Sequence, residues 1–202
     1  MIRKAAIISI SGIFLTHQEI NIFKNEKPWG VILFKRNILT EKQLKKLTSS
    51  IKKIMKDKKY PILIDEEGGK VTRLTNFLNN SIFNQNFFGN IYEKDKKIGL
   101  ILYKRYIESI SIHLLNLGIN INTSPVLDLY QKSAHKIIGN RSYSENPTTV
   151  NKLGQACVKF YKNNKIGTVI KHIPGHGAAN VDSHFNLPVV KKNFMYLKKN
   201  DF

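Results

Sequence analysis

Five short apolar runs punctuate the chain at residues 5–10, 31–34, 61–64, 119–126 and 168–170. They are rich in Ile, Val and Leu and have few polar interruptions, which predicts parallel strands buried on both faces rather than an open sheet with alternating sides. Between the second and third runs, Leu44, Leu47, Ile51, Ile54 and Met55 return mostly every three or four positions while lysines fill the gaps. That is the pattern of an amphipathic crossover helix. A second helix is predicted over residues 95–117, with Ile98, Ile101, Leu102, Ile110 and Leu114 facing inward and Gly118 as its left-handed stop. A third starts at Asn146-Pro147, a cap residue followed by proline in the first turn, and carries Val150, Leu153, Cys157 and Phe160. Cys157 then belongs to the core. Residues 79–90 are rich in Asn and Phe without a clear period and read as a long loop.

Alternation of strand and helix implies an α/β fold with a parallel sheet, either doubly wound or closed as a barrel, and the pattern alone does not choose between them. In both, the carboxyl ends of the strands hold the ligand site. Asp65, Asp128 and the polar cluster after Ile170 all fall there.

Composition narrows the function classes. The chain has 202 residues, 33 Lys and Arg against 14 Asp and Glu, a net charge of +19, and 42% hydrophobic residues. The length suits one domain with a sizeable core, and disorder is excluded by the apolar content. One cysteine excludes a disulfide framework or a multi-cysteine zinc module and fits a reducing compartment, so a cytoplasmic location is expected. No run reaches the roughly 20 apolar residues of a membrane span, and the first apolar stretch lacks a signal-peptide cleavage site. A polyanion partner is the ordinary reading of so basic a chain. Yet the arginines are only Arg3, Arg36, Arg73, Arg105 and Arg141; the remaining positive charge is lysine scattered through every segment. Specific nucleic-acid readout favours clustered arginine forks, so a solvated lysine-rich surface is the better account.

Three constellations carry chemistry. The densest is Lys171-His172-Ile173-Pro174-Gly175-His176-Gly177, followed by Asp182-Ser183-His184. His172 and His176 have a zinc-helix spacing, but Pro174 and Gly175 break the helix that this geometry requires, and no metal site is assigned. An imidazole in such a loop is a natural proton shuttle, and an aspartate two residues before it can fix its tautomer and basicity. Asp182 and His184 are therefore a candidate dyad; the alternative is a loop His and a loop Asp without mutual contact. The second constellation is Ile64-Asp65-Glu66-Glu67-Gly68-Gly69-Lys70-Val71-Thr72-Arg73. Three acids at a strand end suit a polyhydroxylated ligand such as a sugar and repel phosphate, and paired glycines let the backbone pass close to a ligand. A solvated acidic turn is the alternative. The third is Ile138-Gly139-Asn140-Arg141-Ser142-Tyr143, in which Arg141 forms either a site contact or a surface salt bridge.

These runs, with Gly30-Val31-Ile32-Leu33-Phe34-Lys35-Arg36-Asn37 and Ser124-Pro125-Val126-Leu127-Asp128, resemble the bacterial β-N-acetylhexosaminidases of glycoside hydrolase family 3, in the family's order. The resemblance implies a TIM (β/α)8 barrel with its site at the strand C-termini, of which residues 1–202 supply roughly the first five to six βα units of one domain. It also implies release of terminal N-acetylglucosamine from muropeptides during cell-wall recycling, with no cofactor and with neither nucleic acid nor membrane as partner. Carried over, Asp65 and Arg73 hold sugar hydroxyls, Arg141 contacts the substrate, and Lys171 with His172 completes the pocket. His184 is the general acid/base and Asp182 its partner, an imidazole variation on the usual carboxylate pair. Glu66 stands where glutamine is usual, and Lys70 where arginine is. The family's nucleophilic aspartate lies on a later strand and has no counterpart in this sequence, so a truncated chain is expected. An inactive remnant or sugar-binding fragment is the alternative, and a cationic polyanion-binding protein a further one.

Overall fold

A computed structural model describes residues 2–131, 137–173, 175–176, 187, 189–190 and 193–200. Its frame is one sheet of five strands: β1 (Lys4–Ser9), β2 (Pro28–Leu33), β3 (Ile62–Ile64), β4 (Ile121–Asn122) and β5 (Gly167–Thr168). The strands lie in chain order β1-β2-β3-β4-β5 and every neighbouring pair is parallel. A doubly wound sheet reverses its strand order at a switch point, and this sheet does not; it is an arc of a (β/α)8 barrel, incomplete as expected. Ile64 pairs with Asn122 and Asn122 with Thr168, so the residues that follow each strand emerge along one rim.

Helices α1 (His17–Glu26), α2 (Glu41–Ile54), α3 (Gln85–Lys94), α4 (Lys96–Asn116) and α5 (Pro147–Asn163) connect the strands, and a short α6 (Phe194–Asn200) follows. Local chemistry explains their starts. Thr16 and Glu19 form a reciprocal capping box before α1, and Thr40, Asn84, Asp95 and Asn146 each accept a first-turn backbone N–H. The core lies between sheet and helices, where Phe23, Leu33, Leu44, Ile51, Tyr60, Ile64, Ile107 and Leu114 are all sealed from water.

Four expectations need correction. Strand β1 is largely exposed, with Ile7 at 48%, because an edge strand has a neighbour on one side only. Residues 79–90 are not one long loop: α3 begins at Gln85, and its apolar content was masked by an N-cap asparagine and by Phe residues that pack on each other and on α4. The inward face of α4 is formed by Gly99, Tyr103, Ile107, Ile110, Ser111 and Leu114, whereas Ile98, Ile101 and Leu102 face outward. Gly99 decides this, since a Cβ there would come within 2.5 Å of Tyr92 Cα; α3 and α4 approach closely along the glycine side. Finally, Gly68 and Gly69, both at positive φ, let the backbone pass protein rather than ligand. A Cβ on Gly68 would lie 2.2 Å from the Phe83 carbonyl oxygen, and one on Gly69 2.7 Å from Asn84 Cβ.

Candidate active site

The rim loop after β3 is shaped by Glu66. Its buried carboxylate accepts from the Thr72 hydroxyl, Arg73 N (2.8 Å), Leu74 N (3.2 Å) and Asn80 Nδ2 (2.6 Å). Asn122, at the end of β4, clasps the Glu66 backbone: its Oδ1 accepts from Glu66 N at 3.0 Å and its Nδ2 donates to Glu66 O at 2.8 Å and to Tyr161 Oη at 2.9 Å. With Glu66 turned inward, its neighbours Asp65 and Glu67 are free to serve the rim.

Asp65 accepts from Arg73 Nη2 (3.2 Å), from Lys171 Nζ (3.0 Å) and from the Thr123 hydroxyl. Burial pushes the Asp65 carboxyl up, but Lys171, Thr123 and Arg73 outweigh that effect and hold it below the ordinary carboxylate range. Lys171 is delivered by the segment after β5, where Leu127 N donates to its carbonyl at 2.6 Å and its own N–H donates to Pro125 O at 3.1 Å. Its ammonium also pairs with Glu67. Glu67 in turn receives the Arg141 guanidinium through two bonds, from Nε at 2.8 Å and Nη2 at 3.0 Å.

Arg141 is therefore held in a largely buried ion pair with Glu67 and not in a salt bridge out on the surface. Burial pulls its basicity down and the Glu67 bonds raise it further, for a net increase. The turn that carries it (Gly139–Arg141) is moored two residues on by Tyr143, whose hydroxyl bonds Tyr103 deep in the core. Cys157 lies beside both tyrosines, and burial pushes its thiol up to about 12. It is inert and belongs to the core, as its place on α5 implied.

Asp128 binds His172 twice, at Nδ1 (2.7 Å) and at the backbone N (3.2 Å), and also accepts from His176 N. Its burial raises the carboxyl, while these hydrogen bonds and the His172 charge bring it below the ordinary range. With Nδ1 occupied, Nε2 is the imidazole nitrogen left for a ligand.

Of the residues singled out by sequence, Asp65, Arg73, Arg141, Lys171 and His172 stand together on one rim, although they come from three loops. Asp182 and His184 lie outside the described residues. Glu67, Asp128 and Thr123 were assigned no role from sequence. The first two do stand in the quoted motifs at strand ends, which was the available signal, but their partners are 74 and 44 residues away. Exposure separates two tiers. Asp65, Arg73, Arg141, Lys171 and His172 keep 13 to 32% of their side-chain surface, whereas Glu67 and Asp128 keep 2% and 0%. Such a rim offers fixed donors and acceptors whose charges are largely neutralised, a set suited to a polyhydroxylated neutral ligand. Among the described residues no three His, Cys, Asp or Glu side chains gather to hold a metal ion, and no helix is long and apolar enough to cross a membrane.

Known proteins share this architecture. The model of the glycosyl hydrolase family 3 N terminal domain matches residues 6–202. The chain is 36% identical over 165 residues to Beta-hexosaminidase A of Pseudoalteromonas piscicida, covering 80% of this chain and 27% of that one. To the Beta-hexosaminidase of Aromatoleum aromaticum it is 31% identical over 188 residues, covering 93% and 52%. It matches the crystal structure of NagZ from Neisseria gonorrhoeae in complex with N-trifluoroacetyl-D-glucosamine with a TM-score of 0.88 at 31% identity, over 98% of this chain and 58% of that one. The chain thus spans about half, or less, of the length of these curated relatives. Since the family match runs from within β1 through the other four strands and takes in every side chain of the rim, the chain belongs to glycosyl hydrolase family 3, through that family's N-terminal domain.

Proposed function

We propose that the chain forms the sugar-binding part of a β-N-acetylhexosaminidase acting on terminal β-1,4-linked N-acetylglucosamine of peptidoglycan fragments, in cytoplasmic cell-wall recycling. The observation that carries this reading is the gathering of Asp65, Arg73, Arg141, Lys171 and His172, partly exposed, on one strand-end rim. Asp65 accepts from sugar hydroxyls while Arg73 and Lys171 keep it ionised. Arg141 and Lys171 donate to ring and acetamido oxygens, and His172 Nε2 takes a further polar group. His184, partnered by Asp182, protonates the departing glycosidic oxygen and then deprotonates the incoming water. A retaining mechanism also needs a carboxylate nucleophile, a role that this reading gives to no residue of the chain.

Titration of the chain with N-acetylglucosamine tests the binding half. Saturable binding is expected, weakened at least roughly tenfold in Asp65→Ala, since hydrogen bonds to a charged group contribute about 1.5–3 kcal/mol. Equal binding of glucose and N-acetylglucosamine would remove the acetamido specificity. The catalytic half is tested by hydrolysis of a chromogenic N-acetylglucosaminide beside a His184→Ala control; equal rates above background in both exclude His184 from proton transfer, and background rates in both mean that the chain lacks the nucleophile the reaction needs.

A further inference from the structure

The rim groups form a line of alternating charge. Arg73 pairs with Asp65 at 3.2 Å and Asp65 with Lys171 at 3.0 Å; Lys171 pairs with Glu67, and Glu67 with Arg141 at 2.8 Å. Four of these five groups keep exposed surface, and three of them, Asp65, Lys171 and Arg141, are the sugar contacts proposed above. Glu67 alone is sealed, at 2%. It lies beneath two cations supplied by different loops, the turn of Arg141 and the segment after β5. Its own backbone is pinned by the Glu67 N–H donating to Val71 O at 2.9 Å, which closes the tight turn at Gly68 and Gly69.

We infer that Glu67 is a positioning residue: it fixes Arg141 and Lys171 against each other and sets the spacing of the donors offered to the sugar. The inference rests on the proposed sugar-binding role of those two cations. Its physical basis is direct. Without the carboxylate, an ammonium and a guanidinium stand side by side in a partly buried place, where like charges repel strongly and each side chain regains its rotamer freedom. A bidentate carboxylate also fixes the guanidinium plane, which a single acceptor does not. Glu67 itself is too buried to serve as a ligand contact.

The test uses the full chain and two variants, Glu67→Gln, which keeps shape and loses charge, and Glu67→Asp, which keeps charge and shortens the reach. The Nε–H proton NMR signal of Arg141, assigned by its disappearance in Arg141→Lys, is read without any ligand. It is expected to exchange slowly with water in the wild type and rapidly in both variants. N-acetylglucosamine affinity is expected to fall roughly tenfold or more in Glu67→Gln, with a melting temperature lowered by no more than about 4 °C. Adding Arg141→Lys to Glu67→Gln should cost little further affinity, because the two residues act as one unit. An unchanged Arg141 signal in both variants overturns the inference, as does a Glu67→Gln protein that melts earlier yet binds sugar as the wild type does. Failure of the wild type to bind the sugar sinks the function proposed above, while the Arg141 signal still decides whether Glu67 positions that side chain.

Discussion

The two ends of β4 carry the same residue type and do different work. Asn120, just before the strand, donates from Nδ2 to Lys59 O and Tyr60 O, both at 3.1 Å, and accepts from Ile62 N at 2.8 Å. Asn122, at its end, clasps Glu66 and Tyr161. The charged groups follow the same division. At the amino-terminal end Arg3 pairs with Asp57, with side chains 21% and 30% exposed, whereas at the carboxyl end Arg141 keeps 13% and its partner Glu67 only 2%. Below the sheet, Asn120 ties one backbone segment to another and the ion pair stays at the surface. Above it, Asn122 and the buried Glu66 carboxylate fix the rim loop, and Glu67 is buried beneath two cations that keep exposed surface. Barrel enzymes divide stability and chemistry between their two ends in this way.

The largest effect is expected at Glu66, which lies at the ligand end yet behaves like the groups below. Glu66→Ala removes the acceptor of four donors in a buried or part-buried place, of which only Asn80 Nδ2 has another, Tyr106 Oη at 3.4 Å. At about 1–3 kcal/mol for each stranded group, moderated by relaxation, the loss is expected to be about 3–5 kcal/mol by urea unfolding. Glu66→Gln retains one acceptor oxygen and should lose less than half of that. A Glu66→Ala loss under about 1 kcal/mol would show that water replaces the carboxylate and that the loop is not built around it.

The two asparagines give a direct contrast. Asn122→Ala is expected to cost about 2–3 kcal/mol, because the Glu66 N–H and carbonyl become stranded where Asn122 was 0% exposed. Asn120 is half-buried, so water can take over its bonds, and about 1 kcal/mol is expected for Asn120→Ala. Equal losses at both positions would remove the distinction between the two ends.

How far the sequence foretold this arrangement follows from the range of the interactions. Helices α2 and α5 were legible because apolar period and capping residues agree within one turn. The polar helix α1 was not foreseen: it buries only Phe23, and its capping box is its one strong signal. The face of α4 was misjudged because isoleucine is abundant on both its sides and the deciding residue is a glycine, whose contribution is the absence of a side chain. In the site, Asp65, Arg73, Arg141, Lys171 and His172 were readable because they stand in motifs. Glu67 and Asp128 stand in the same motifs, but what they do depends on contacts made only after β3, β4 and β5 align, and no local spacing encodes that.

Acid should separate the carboxylates by their partners. Asp128 has a folded-state pKa below the ordinary value, so it adds stability above the unfolded value of about 3.9 and loses it as pH falls through the lower folded value. Wild type is therefore expected to exceed Asp128→Asn in unfolding free energy at neutral pH, with the gap closing below about pH 4. A gap independent of pH would mean that shape, and not charge, holds His172.

The smallest effect is expected at the other end, and it decides whether exposure alone accounts for the difference. Asp57 is also held below its ordinary pKa, chiefly by the hydrogen bond from Arg3 and by Lys59 N, but the pair lies at the surface. There, water and salt screen the attraction and two long side chains give up rotamer freedom to meet. Removing the Arg3 partner by Arg3→Gln should therefore change stability by about 0–1 kcal/mol at low salt, and the difference should fade as sodium chloride is raised toward 1 M, where the screening length is about 3 Å. Arg3 also lies over the Tyr60 ring at 5.1 Å, and this contact is less sensitive to salt. A loss above about 2 kcal/mol that persists at high salt would assign the work to the ring contact and to Arg3 packing. The lower end would then depend on a cation as the rim does, and the division would lie between cations held by carboxylates and one held by an aromatic face.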